Sequence, residues 1–220
     1  ITYPIDLLPA TSDALVASVL NNILGGSGFQ TRLMQNLRED KAYTYGAYSE
    51  IVADDFVGYF SAGASVRNEV SDSSVTQFMY EISRLTTELV DDKTLQTIKN
   101  IMMGQFARSL ERPQTVARFA KNIERYHLPK DFYETYLERL NAVTAQDVMA
   151  LAARVLLPNN AYITVVGNKD IEKTLLPFDK DGKILKFNPD GSVYIEMKPI
   201  PAGVTVESVM NNYKIGRAHV

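Results

Sequence analysis

Between residues 71 and 157 apolar side chains recur at three- and four-residue intervals, and nothing else in the chain restricts the fold as tightly. Val75, Phe78, Met79, Ile82, Leu85 and Leu89 form one stripe, and Leu95, Ile98, Met102 and Phe106 form another. Such spacing puts each set on one face of a helix, so this half of the chain is a succession of helices that must share a common core. Pro113 sits where a helix over 114–126 would begin. Thr144-Ala-Gln-Asp147, ahead of Val148, Leu151, Val155 and Leu156, reads as a capping box opening a helix that Pro158 stops.

The preceding residues follow other rules. Residues 12–24 carry Leu15, Val16, Val19, Leu20, Ile23 and Leu24 behind a Ser12 or Asp13 cap, which predicts a helix ending at Gly25–Gly26. A second helix is expected after Gly28, with Phe29, Leu33 and Leu37 on its apolar side, fading near Asp40. Residues 42–53 and 56–66 are rich in tyrosine, valine and small residues around Asp54–Asp55, a pattern of two antiparallel strands and a tight turn. The run at 161–167 is expected to return to the sheet as a buried strand. Strands first and helices afterwards, without βα alternation, predict an α+β fold: an antiparallel sheet with helices packed mainly on one face. Residues 1–170 form the expected domain, 171–213 an appended β-hairpin or linker with two Asp-Gly turns, and 214–220 an added or frayed tail.

Composition narrows the function. Apolar residues make up 45% of the 220, enough for a sizeable core, and the net charge of −3 is spread without a basic stripe, which argues against nucleic acid as a partner. No run of 18 apolar residues exists, so no membrane span is expected, and the first residues lack the pattern of a secretion signal. With no cysteine and only His127 and His219, 92 positions apart, thiolate sites are excluded and a metal site built on histidine pairs is hard to assemble from this chain alone. His127 reads as a structural or surface residue, and the pairs Glu39–Asp40 and Asp54–Asp55 as a helix end and a turn. Asp179, Asp181 and Asp190 lack the ligand ladder of a calcium loop and read as turn formers. The GGSG stretch at 25–28 lacks the lysine and spacing of a phosphate loop, leaving turn chemistry as its better reading. Arg38, on the last helical turn, and Tyr45, early in the next strand, are both donors at neutral pH. If the reversal between them aims both at one point, they suit holding a carbonyl oxygen or an oxyanion. Dipole interaction for Arg38 and core packing for Tyr45 are the plainer alternatives. Tyr43 and Tyr48 could simply line the two faces of the strand.

The stretch NNILGGSGFQTRLMQNLREDKAYTYGAYS, with the helical run to VTAQDVMALAARVLLPNNAYITVVGN behind it, resembles a half-domain of the pitrilysin/insulinase family of zinc peptidases, which includes mitochondrial processing peptidase. The resemblance spans roughly residues 4–168. Its most specific parts are Leu24-Gly25-Gly26, Arg32-Leu33, Leu37-Arg38-Glu39 with Tyr45 seven residues after Arg38, and Val165-Val166-Gly167. It implies two related half-domains or subunits closing over a peptide, one bearing an H-x-x-E-H zinc motif and the other an arginine and a tyrosine that contact substrate near the metal. No H-x-x-E-H can be written in this chain, so it resembles the metal-free half: inert alone, partnered by a zinc-carrying half, with Arg38 and Tyr45 as the auxiliary pair and peptide added along a sheet edge. No cofactor is expected in this chain, and zinc is expected in the partner. The alternative is a structural or assembly domain of the same fold with no role in proteolysis.

Overall fold

The computed structural model describes residues 1–26, 28–195, 205 and 207. Two compact units divide between Leu175 and Leu176. The first holds a three-stranded antiparallel sheet in the order β1-β3-β2, formed by β1 (Thr2–Ile5), β2 (Thr44–Val52) and β3 (Gly58–Val66). Around it lie α1 (Ser12–Leu24), a π-helical segment Met34–Asp40, α2 (Ser71–Thr87), α3 (Asp92–Ser109), α4 (Pro113–Arg125), α5 (Tyr136–Ala142) and α6 (Ala145–Val155). The α+β architecture is the one expected.

One face of the sheet builds the core. Tyr3, Ile5, Ala47, Phe60 and Ala62 point inward against Leu20, Ile23, Leu24, Ile82, Leu85, Val148 and Leu151, all buried. Helix α6 packs against both α1 and α2, and α1 also reaches β2 and α3. The other face carries Tyr48, Glu50, Tyr59 and Gly63 in solvent, as strand alternation demands once one face is filled. Helix α4 behaves differently. It buries only Thr115 and is tied on by aromatic stacking, with Phe119 3.6 Å from Tyr133 and 5.9 Å from Phe106 between ring centroids.

Local signals hold at most termini. The capping box forms, Thr144 Oγ1 accepting from the Asp147 N–H at 3.1 Å while Asp147 Oδ2 accepts from the Thr144 N–H at 2.8 Å. Pro113 occupies the first turn of α4. The cap of α1 is Thr11, one residue ahead of the expected Ser12 or Asp13, because its Oγ1 accepts from the Ala14 N–H at 3.1 Å. His127 ends α4 in a left-handed conformation, φ +49°: the Leu128 N–H reaches back to Ile123 and that of His127 to Glu124. This is the glycine-type helix stop, made by a non-glycine residue.

Two expectations are corrected. Residues 161–167 are not a buried strand: only Tyr162 bridges to Thr2, and Val166 is 99% exposed. The sheet position inferred for that run is taken by β1, hidden in the sequence by Pro4. The Thr2 N–H points to Tyr162, away from β3, and Pro4, two residues on, shares that orientation, so its missing donor costs no ladder bond. The second helix starts at Arg32 and then widens, with the Lys41 N–H bonding Asn36 O, five residues back.

In the described part of the second unit, Phe187 and Val193 bridge across a turn at Asp190–Gly191, where Gly191 has φ +81° and Asp190 accepts from the N–H of Ser192. Asp179 accepts from the N–H groups of Asp181 and Lys183. These aspartates are turn formers, as expected. His219 and residues 214–220 lie outside the described residues.

Candidate functional site

The segment from Gly25 to Tyr48 contains every residue assigned to the site by sequence. Its glycines serve packing. A Cβ on Gly25 would lie 2.7 Å from the Ser49 nitrogen and 2.8 Å from Leu33 Cδ1, and Gly25 O accepts from the Ser49 N–H at 3.0 Å. Gly25 therefore lets the end of α1 touch the backbone of β2, a reason beyond the helix-to-helix turn read from sequence.

Arg38 rides on the π-helical segment. Its guanidinium stands 4.6 Å over the Phe29 ring, and Nε lies 3.4 Å from Glu39 Oε1. The segment closes with Ala42 in the left-handed region (φ +52°), the Tyr43 N–H bonding Leu37 O six residues back. Tyr45 follows on a bulge of β2, where register slips between Thr44 and Ala47. Thr44 Oγ1 stabilises that bulge, donating to Ser65 O at 2.8 Å and accepting from the Gly46 N–H at 3.1 Å. The bulge turns Tyr45 outward, 95% exposed. Arg38 and Tyr45 are thus presented by adjoining elements, yet among the described residues no hydrogen bond joins them, and Tyr45 has no polar partner.

Beneath the segment lies a buried polar cluster that the sequence reading missed. Glu81, 3% exposed, accepts from Asn36 Nδ2 at 2.6 Å and from Arg84 Nη1 at 3.2 Å. Arg32 is turned toward this cluster, its pKa lowered chiefly by burial and next by the positive charge of Arg84, with Glu81 opposing. Arg32 Nη1 and Asn36 Oδ1 are buried without a partner. The only sequence signal for the cluster is polar: Asn36 and Glu81 interrupt otherwise apolar stripes of their helices.

The sheet edges are also informative. Outward from β2, the N–H groups of Ala47 and Ser49 bond Met34 Sδ at 3.3 Å and Gly25 O. At the β1 edge Thr2 is bonded both ways to Tyr162, and Pro4 offers no donor. Peptide addition along an edge, expected from the sequence, would have to displace the partners of Ala47 and Ser49 on β2 or of Thr2 on β1. No cluster of three His, Cys, Asp or Glu side chains among the described residues could hold a metal, and His127 is exposed, so the described residues do not fit a zinc ion. No helix among them is long and apolar enough to cross a membrane.

A one-faced antiparallel sheet backed by helices, with no cluster of metal-ligating side chains among the described residues, defines the class of fold: an α+β domain with its helices packed mainly on one face. Residues 1–102 match the peptidase M16 inactive domain, and the chain carries the inactive domain of this pitrilysin/insulinase-type family. It is 31% identical over 149 residues to the uncharacterized zinc protease YmxG of Bacillus subtilis, a match covering 67% of this chain and 36% of that protein. Among solved structures, the peptidase M16 inactive domain from Pseudomonas fluorescens superposes with a TM-score of 0.65 at 24% identity, over 71% of this chain and 37% of that one. The inactive peptidase domain of a Bordetella parapertussis protein gives 0.60 at 15% identity, over 72% of this chain and 86% of that one. These likenesses show the fold, and the chain spans little more than a third of the length of its curated relative.

Proposed function

We propose that this chain is the non-catalytic half of a two-part zinc peptidase, in which Arg38 and Tyr45 reach into a metal site carried by a partner half with H-x-x-E-H and orient the scissile carbonyl of a peptide. The observation that carries the reading is the exposure of Tyr45. A phenol 95% in solvent, turned outward by a bulge and without a polar partner among the described residues, adds little to stability. As a donor to a developing oxyanion it would act only when the halves close. Arg38, held by Phe29 stacking at the end of the preceding helix, supplies a fixed positive charge beside it. Zinc in the partner supplies an activated water; this chain binds and orients.

Removing one oxyanion donor costs on the order of 10²–10³ in kcat. In the assembled two-half enzyme, Tyr45→Phe is therefore expected to lower kcat by that factor with KM little changed. A variant with wild-type kcat, in halves that still associate, overturns the role of Tyr45 and leaves a scaffold domain in its place.

A further inference from the structure

The open face of the sheet is uneven. On β2, Tyr48 and Glu50 point outward in succession, while across from them β3 presents Gly63 opposite Tyr48 and Ser61 opposite Glu50. Tyr48 leans along its own strand, since a Cβ on Gly46 would fall 2.3 Å from the Tyr48 hydroxyl. The space above Gly63 is consequently empty, with nothing within 4 Å of a Cβ built there. At the far end, Tyr59 donates its hydroxyl to Glu50 Oε1 at 3.2 Å. The result is a shallow slot with a floor of Ser61 and Gly63, a tyrosine at either end and one carboxylate on its side.

That carboxylate is the slot's chemical feature. Glu50 is exposed and, among the described residues, has no cationic partner. Arg125, at the end of α4, is paired instead with Asp55 of the β2–β3 turn at 2.6 Å. Arg38 is engaged by Phe29 and Glu39. An acidic group held by a tyrosine hydroxyl, beside tyrosine rings and over a glycine floor, complements an extended cationic side chain, whose stem lies on the floor while its head meets charge and ring.

We propose that this slot is a subsite for a lysine or arginine side chain of a peptide lying across the open face, away from the partnered strand edges. The subsite rests on the reading of the domain as a peptide-contacting half. Its test uses the 220-residue chain and two dye-labelled decapeptides that differ only in a central arginine or its neutral isostere citrulline, compared by fluorescence anisotropy. An exposed ring contact together with an exposed ion pair predicts a preference for arginine of about 3- to 30-fold in Kd, shrinking as salt is raised. Glu50→Gln, which keeps an acceptor for Tyr59, should bring the two peptides to parity, and Gly63→Val should do so by filling the floor. Equal affinities for the wild-type chain, binding of neither peptide, or a preference that survives in both variants with folding intact overturns the subsite. Unchanged kcat in Tyr45→Phe would remove the catalytic reading without altering this preference, so the two failures are distinguishable.

Discussion

Replacing Gly25 by alanine adds one carbon at the point where the end of α1 meets β2. That carbon would sit 2.7 Å from the Ser49 nitrogen and 2.8 Å from both Ser49 Oγ and Leu33 Cδ1. The strand cannot yield freely, because Ser49 is paired with Ala62 of β3, its N–H is bonded to Gly25 O at 3.0 Å, and its hydroxyl donates to Asn21 Oδ1 at 2.8 Å. Overpacking of this kind costs about 1–3 kcal/mol, and loss of the Ser49–Gly25 bond adds about 0.5–1.5 kcal/mol, so a destabilisation near ~3 kcal/mol is expected. At roughly 2–4 °C per kcal/mol for a chain of this size, Tm should fall by about 6–12 °C. Gly63→Ala is the matched control: its Cβ meets nothing within 4 Å, so stability should stay within about 0.5 kcal/mol. Urea unfolding followed by circular dichroism at the helix band measures both variants. A Gly25→Ala midpoint equal to wild type would refute the close-approach argument and return the glycine to simple turn chemistry.

Other outcomes follow from buried groups and caps. Burial raises the Tyr3 pKa to about 12. Its stabilising share is therefore complete below the unfolded value of about 10 and lost as pH climbs through about 12, a change on the order of 2–3 kcal/mol that Tyr3→Phe should abolish in alkaline melts. Glu81→Ala removes the acceptor shared by buried Asn36 and half-buried Arg84, which keep only Gln77 and Glu88, and should cost about 1–3 kcal/mol in urea, with Glu81→Gln losing less. Thr144→Ala should cost ~1 kcal/mol through the lost cap of α6. Because Thr144, chiefly through its side chain, holds the Asp147 pKa below the usual carboxylate range, the contribution of Asp147 is present above about pH 4 and disappears as pH falls through the lowered value. The stability gap between wild type and Asp147→Asn should close in acid melts.

How much of this could be read in advance varies with the range of the interaction. Helix α1, strands β2 and β3 and the capped start of α6 were legible because each is specified by residues within a few positions of one another: apolar spacing, an Asp-Asp turn, a Thr-x-x-Asp box. Strand β1 was not, since Thr2–Ile5 is too short to show a period and contains a proline whose tolerance depends on which edge it occupies. The run at 161–167 shows the converse, being apolar enough for a buried strand yet left mostly in solvent because β1 already flanks β3.

For the site, sequence alone fixed the residue types and their separation. Arg38 and Tyr45 stand seven positions apart across a helix-to-strand reversal, and with two histidines and no cysteine the chain has no zinc motif. Tertiary structure decided what faces outward. The widened helical turn over buried Glu81 and the bulge at Thr44–Ala47 set the directions of Arg38 and Tyr45, and both depend on contacts from residues 41–45 positions away in sequence or across a strand pair. Local spacing can state that an arginine precedes a tyrosine. Which way each of them faces, and which sheet face stays open, is settled only when the other face has been filled by helices drawn from the rest of the chain.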